Sequence, residues 1–157
     1  MKLVKLLSIL MLAIGVFAPQ NAEAQTSTFR ELVRKYDRAT VEFSTTTIRK
    51  DGSKAAYSYT SQGKGTIYSN GRELTINRIY VRFSDRSNFQ GDKDQTKVRI
   101  YESGGRVRVE MTSITWGNST SELNDVYVEK TNFGYFVTGF FQNGRRATKS
   151  TFAIYTP

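Results

Sequence analysis

The sequence predicts a mainly β fold: an N-terminal helix followed by an eight-stranded antiparallel meander that closes as a barrel or half-barrel, with a β-sandwich as the alternative. Three observations carry this reading. One stretch alone, "TSTFRELVRKYDRA", has the apolar spacing of a helix. From Thr40 onward, apolar residues alternate with polar ones or run in short blocks, as strands do. The blocks are separated by "KDGS", "SNGR", "SGGR", "TNFG" and "QNGR", whose Asn-Gly and Gly-Gly pairs supply the positive φ of tight hairpin turns. Strands joined by tight turns are antiparallel neighbours, and a meander this long curls because strands twist.

The chain begins with a segment that does not belong to this fold. "MKLVK" carries Lys2 and Lys5, the run from Leu6 to Ala18 is 13 residues long, and Ala22-Glu23-Ala24 ends the region. A basic start, a short apolar run and an A-x-A end predict a secretory signal peptide over 1–24, cleaved after Ala24. The run is short of the roughly 20 residues of a membrane span, so an uncleaved anchor is the weaker alternative and the mature chain has no transmembrane helix. A single β-rich domain then occupies 25–157, a length that supports one core. Without Lys2, Lys5 and Glu23, 21 basic and 13 acidic residues remain, a net charge of +8. An exported chain with no Cys has no disulfide, which fits a bacterial periplasmic or secreted protein whose core holds the fold alone.

The helix is expected at about 28–38, where Thr28 and Glu31 have the spacing of a capping box. Phe29, Leu32, Val33 and Tyr36 form its apolar stripe, and Arg30, Arg34, Lys35 and Arg38 line the other side. The strands are expected at 40–49, 54–69, 72–83, 97–103, 106–116, 125–131, 135–142 and 145–156, with longer links at 84–96 and 117–124. A turn at Gly104-Gly105 opposes Ser103 and Arg106. It therefore pairs Ile100 with Val109 and Val98 with Met111 on one face, and Arg99 with Glu110 and Tyr101 with Arg108 on the other. A slip of one residue would bury the arginines. Apolar parity changes after Ile76 and again after Met111, which predicts bulges at Asn77-Arg78 and Thr112-Ser113. "GKG" at 63–65 reads as a bend inside a strand, and "DKDQT" at 92–96 as a solvated loop lacking the Gly and Glu of an EF-hand.

Two candidate sites follow. The outer face of three neighbouring strands gathers Arg78, Tyr80, Arg82, Lys97, Arg99, Tyr101, Arg106 and Arg108, with Glu110 as the main acid. Arginines interleaved with tyrosines can follow an anionic polymer or a layer of lipid head groups while rings stack. Ordinary exposed strand faces also carry Lys, Arg and Tyr, so both readings stay open. Intracellular nucleic acid does not suit an exported chain; acidic polysaccharide does. The second candidate is the barrel interior. Nineteen aromatic residues remain after Phe17 is removed, and Trp116, Tyr135, Phe136 and Phe140 are the pocket candidates for a small apolar or amphiphilic ligand. An eight-stranded barrel is just wide enough for one such ligand, or for a packed core. "YFVTGFF" puts aromatics on both faces of one strand, so one face meets the core and the other the helix, a ligand or a membrane.

The segment 134–154, "GYFVTGFFQNGRRATKSTFAI", resembles the last hairpin of the polyisoprenoid-binding, lipocalin-like periplasmic family, in which a "TG" strand runs into an "NG" turn and a Thr/Ser-rich strand. The resemblance implies a secreted eight-stranded barrel enclosing a long isoprenoid chain. The histidines of that family's first strands have no counterpart here, and no binding residue is carried over.

The absence of His and Cys excludes Ser-His-Asp and Cys-His chemistry and imidazole metal ligands. No paired carboxylates stand out, so no catalytic residue, metal site or cofactor is expected and the reading is a binding protein rather than an enzyme. The leading expectation is a lipocalin-like carrier, followed by a surface module for anionic polymer or membrane. A small outer-membrane barrel comes third, because the outer strand faces carry Arg and Lys where lipid would lie.

Overall fold

A computed structural model describes residues 21–49, 60–84, 93–114, 117–143 and 146–155. Helix α1 runs over Ala22–Lys35 and not over 28–38. Asn21 is its N-cap, the side-chain Oδ1 accepting from the Ala24 N–H at 2.8 Å, with Glu23 in the first turn where the helix dipole favours an acid. Thr28 lies inside the helix and donates to the Ala24 carbonyl at 2.9 Å, so the expected capping box does not form. Glu31 has turned away to Lys130 and Tyr135. The helix stops at Lys35 because Tyr36 is already extended, leading into the first strand. The apolar stripe behaves as expected: Phe29, Leu32 and Val33 are buried.

Nine strands are described: β1 (Arg38–Arg49), β2 (Thr60–Ser69), β3 (Glu73–Ser84), β4 (Lys93–Ser103), β5 (Arg106–Ser113), β6 (Ser119–Glu122), β7 (Asn124–Thr131), β8 (Gly134–Asn143) and β9 (Arg146–Tyr155). They form one antiparallel sheet in the order β6-β5-β4-β3-β2-β1-β9-β8-β7. The first and last strands pair in the middle of the sheet, and its two edges, β6 and β7, are consecutive in the chain. Only Leu123 separates them. Its N–H donates to the Val109 carbonyl at 2.9 Å, and the sheet wraps into a nearly closed barrel rather than a sandwich. The ninth strand is β6, in a stretch read as a link. "STSE" has no apolar residue and is exposed throughout, so it pairs with β5 without leaving a hydrophobic signature.

The central hairpin has the expected register: Arg99 opposes Glu110, Ile100 opposes Val109, and Gly104 and Gly105 turn at φ of 61° and 71°. The bulge at Asn77-Arg78 is present, since Ile76 opposes Val98 but Ile79 opposes Thr96. Ile76 and Ile79 consequently both point inward and are buried. The same extra residue of β3 shows on its other side, where Gln62 opposes Arg82 but Tyr68 opposes Thr75, while β2 pairs unbroken with β1 through "GKG", so the irregularity lies in β3 and not at that stretch. There a Cβ on Gly65 would lie 3.1 Å from Ile79 Cγ1, so the glycine lets the bulged strand approach. The bulge expected at Thr112-Ser113 does not form. Pairing with β4 is unbroken through Ser113, and the parity change belongs to the turn that follows, where the Ile114 N–H donates to the Gln95 carbonyl at 2.7 Å. "DKDQT" is likewise mostly strand, because β4 starts at Lys93.

Helix α1 closes one end of the barrel. Ser69 at the end of β2 donates to the Val33 carbonyl at 2.5 Å, Arg30 meets Glu102 of β4 at 2.5 Å, and the Glu31 carboxylate accepts from Lys130 of β7 at 2.6 Å and from Tyr135 of β8 at 2.8 Å. The Gln25 side-chain oxygen accepts from the Val128 N–H, supplying a partner on the edge strand β7. Phe29, Leu32 and Val33 thereby join Val41, Ile67, Leu74, Ile100, Val109, Val128 and Ile154 in one core. Among the described residues, no helix is long and apolar enough to cross a membrane.

Candidate functional site

The outer face of β3, β4 and β5 carries the expected cations, but they are interleaved with more acids than Glu110. Arg99 donates through Nε to Glu73 at 2.9 Å, its Nη1 lies 3.8 Å from Glu110, and its guanidinium stands 4.2 Å from the Tyr101 ring centroid. The Tyr101 hydroxyl donates to Glu110 at 2.6 Å, and this bond raises its pKa above the ordinary tyrosine value. Arg108 is paired with Glu122 of β6 at 2.7 Å. Arg78, Lys97 and Arg106 are exposed on their strands. Tyr80 and Arg82 are placed by register alone, opposite Gln95 and Lys93; their side chains lie outside the described residues.

The same arrangement recurs around the barrel. Glu42 receives Lys64 at 2.6 Å and the Tyr155 hydroxyl at 2.9 Å, as Glu31 receives Lys130 and Tyr135. Each carboxylate takes one cation and one phenol, and both bonds hold Glu31 and Glu42 below the usual carboxylate pKa, the cation's contribution being the larger. Among the described residues, Arg30, Lys64, Arg99, Arg108 and Lys130 therefore each have an acid partner. A polyanion can still compete, because exposed pairs are each worth only about 0–1 kcal/mol. Glu73 was legible in the sequence: with Leu74 and Ile76 inward, it must face outward beside Arg99.

The pocket candidates separate. Tyr135 faces inward and is 1% exposed, but it closes the helix end, its ring packed edge-on to Tyr36 at 6.4 Å. Burial, followed by the bond to Glu31, raises its pKa well above the ordinary value. Phe136 opposes Ala153 and Phe140 opposes Lys149, both on the outward face, so neither can line the interior with Tyr135. They are half-buried there, beside Tyr127 of β7. Strand alternation decides this: residues one and five places along from Tyr135 fall on the other face. Trp116 lies outside the described residues.

The register assigns other residues to the interior. Moving away from α1, the aliphatic core gives way to the Phe43–Phe152 pair, with ring centroids 4.9 Å apart. Beyond it lie Thr45 opposite Ser150 and Thr96 opposite Ser113, and Met111 and Phe141 are partly buried against the core. Ser150 is fully buried and its Oγ has no hydrogen-bond partner. A buried hydroxyl without a partner is uncommon and calls for an explanation. The nearest glycine on this side, Gly139, is filled by Leu123. Near α1 the described interior is aliphatic and aromatic core; at the other end the described inward side chains carry hydroxyls and no charge, next to the Phe43–Phe152 pair. Among the described residues, no three acids gather that could hold a metal ion.

Set beside protein-family models, curated proteins and solved structures, the chain has no match in any of the three comparisons.

Proposed function

We propose that the protein is an exported, non-enzymatic carrier, lipocalin-like in use, which takes a small apolar or amphiphilic molecule at the barrel end opposite α1. The observation that carries this is the change of the interior from packed aliphatics to a collar of Thr45, Thr96, Ser113 and Ser150 over the Phe43–Phe152 floor. A packed core alone gains nothing from a buried hydroxyl without a partner, whereas an amphiphile with a neutral head group would supply one. The basic start, short apolar run and A-x-A end over 1–24 support a carrier that works in the periplasm or outside the cell.

Thermal unfolding tests this. A neutral single-chain amphiphile at about 100 times its dissociation constant adds about 2.7 kcal/mol of stability and raises the melting temperature by several degrees, with little dependence on salt. No shift with any such amphiphile or with a whole lipid extract counts against the carrier.

A second reading is a module for anionic polysaccharide or lipid head groups on the outer face of β3–β5, favoured by the net charge and by exposed Lys97 and Arg106. Its mark is binding that falls steeply with salt. Replacing Arg82, Arg99 and Arg108 together by Ser abolishes such binding, because Glu73, Glu110 and Glu122 are then left uncompensated.

A further inference from the structure

The hairpin joining β7 to β8 turns at Asn132-Phe133, and Phe133 is 74% exposed, the most exposed large apolar side chain among the described residues. A single exposed aromatic carries no message by itself; its setting does. The turn is firmly built. Thr131 Oγ1 accepts from the Phe133 N–H at 3.2 Å, and Gly134 sits at φ +149°, where a Cβ would fall 1.9 Å from the Ile154 carbonyl oxygen. The turn is also fastened to the helix, since Lys130 and Tyr135 on either side of it bond the same oxygen of Glu31. Phe133 is therefore an exposed side chain on a turn whose flanking residues are tied to α1.

That end of the barrel is basic. Arg34 and Lys35 are exposed on α1, Arg38 starts β1, and Arg72 and Arg106 stand at the two neighbouring hairpin turns. With Arg30 and Lys130 these make seven cations against Glu31, Asp37, Glu73, Glu102 and Glu129 among the described residues, in a chain cleaved after Ala24, which lacks Glu23 of α1. Glu31 and Glu102 are already engaged by Lys130 and Arg30. An apolar side chain on a firm turn, ringed by excess positive charge, matches an anionic bilayer: the ring enters the interface while Arg and Lys meet phosphate head groups. A soluble anionic polymer would use the cations but offers no apolar phase for the Phe133 ring to enter.

We propose that the helix-capped end of the barrel is a docking surface for an anionic lipid bilayer, with Phe133 as the inserted side chain. This surface is separate from the carrier site, at the opposite end of the barrel, and does not depend on it. Docked in this way, the protein turns its hydroxyl-lined end away from the membrane.

The test is co-sedimentation of the mature protein with vesicles of phosphatidylcholine alone and of equimolar phosphatidylcholine and phosphatidylglycerol. Intact mass is read first, because a retained run from Leu6 to Ala18 would itself partition into lipid. The wild type sediments with the anionic vesicles and not with the neutral ones. Phe133→Ser weakens this about tenfold, and the paired change Arg34→Ser, Lys35→Ser weakens it by about tenfold or more, with both variants melting as the wild type does. No sedimentation of the wild type overturns the proposal, as does equal binding to both vesicles. So does a Phe133→Ser protein that binds undiminished, which would reduce the surface to a generic polyanion contact, or one whose melting temperature collapses, which would make Phe133 a packing residue.

Discussion

Replacing Gly139 with Ala should destabilise the protein, against the usual sign of that change within a strand. Gly in a strand interior is roughly 0.5–1 kcal/mol worse than Ala, because it loses more backbone entropy on folding. Gly139 has no positive φ to excuse it. Yet a Cβ built on it lies 2.7 Å from Leu123 Cβ, 3.0 Å from Leu123 Cδ1 and 3.1 Å from Val126 Cγ2. Carbon atoms pack at about 3.5–4.0 Å, so Leu123 would have to retreat by roughly 1 Å. Its Cβ is fixed to the backbone, and that backbone is the single-residue link between the two sheet edges, bonded to Val109 at 2.9 Å. Overpacking of this kind costs about 1–3 kcal/mol, which outweighs the entropy gain over most of that range and leaves a net loss of up to about 2.5 kcal/mol. Urea unfolding with an unchanged m-value is the assay. Leu123→Ala, which empties the same contact, should lose about 2–5 kcal/mol. A Gly139→Ala protein as stable as the wild type, or more so, would mean that Leu123 does not close the barrel over β8.

Val109→Asp should prevent stable folding, since Val109 is fully buried in the core and an unpaired charge there has no partner, whereas Arg108→Ala should lose no more than about 1 kcal/mol with its exposed pair to Glu122; circular dichroism melts separate the two. Acid should loosen the helix end first: Glu31 and Glu102 have lowered pKa values, so the unfolded state takes up protons more readily, and the stability they give is present at neutral pH and lost as pH falls through their folded-state values. Glu31→Gln should flatten that acid limb of a pH–stability profile. Intact mass of the exported protein should begin at Gln25; a mature species retaining 6–18 would remove the export reading.

The fold was legible wherever apolar parity and turn chemistry agreed. Gly104-Gly105 fixed a turn, and the parity of Val98, Ile100 and Val109 fixed its register, because any slip buries arginine. The bulge at Asn77-Arg78 was readable from Ile76 and Ile79 alone. What escaped had no such signature. The strand β6 is four polar residues, and the helix cap at Asn21 falls inside the stretch 1–24 that the sequence marks as an expected leader, although the helix runs through that boundary. A parity change after Met111 looked like a bulge because a strand end and a bulge leave the same pattern when the partner strand is unknown. For the site, counting cations along β3–β5 overlooked Glu73 and Glu122, the latter on an unforeseen strand. Grouping aromatics by nearness in sequence joined Tyr135 to Phe136 and Phe140, which alternation places on opposite faces. The interior hydroxyls were there to be found by extending each strand's inward parity past its last aliphatic residue.

The carrier account is tested most directly by locating the ligand. A neutral long-chain amphiphile bearing a nitroxide broadens the amide resonances of residues near its label in proportion to proximity. The account predicts broadening at Thr45, Thr96, Ser113 and Ser150, with Phe29 and Leu32 under the helix unaffected. Broadening confined to Lys97, Arg99 and Arg106 on the outer face, or none at all at saturating amphiphile, would contradict it.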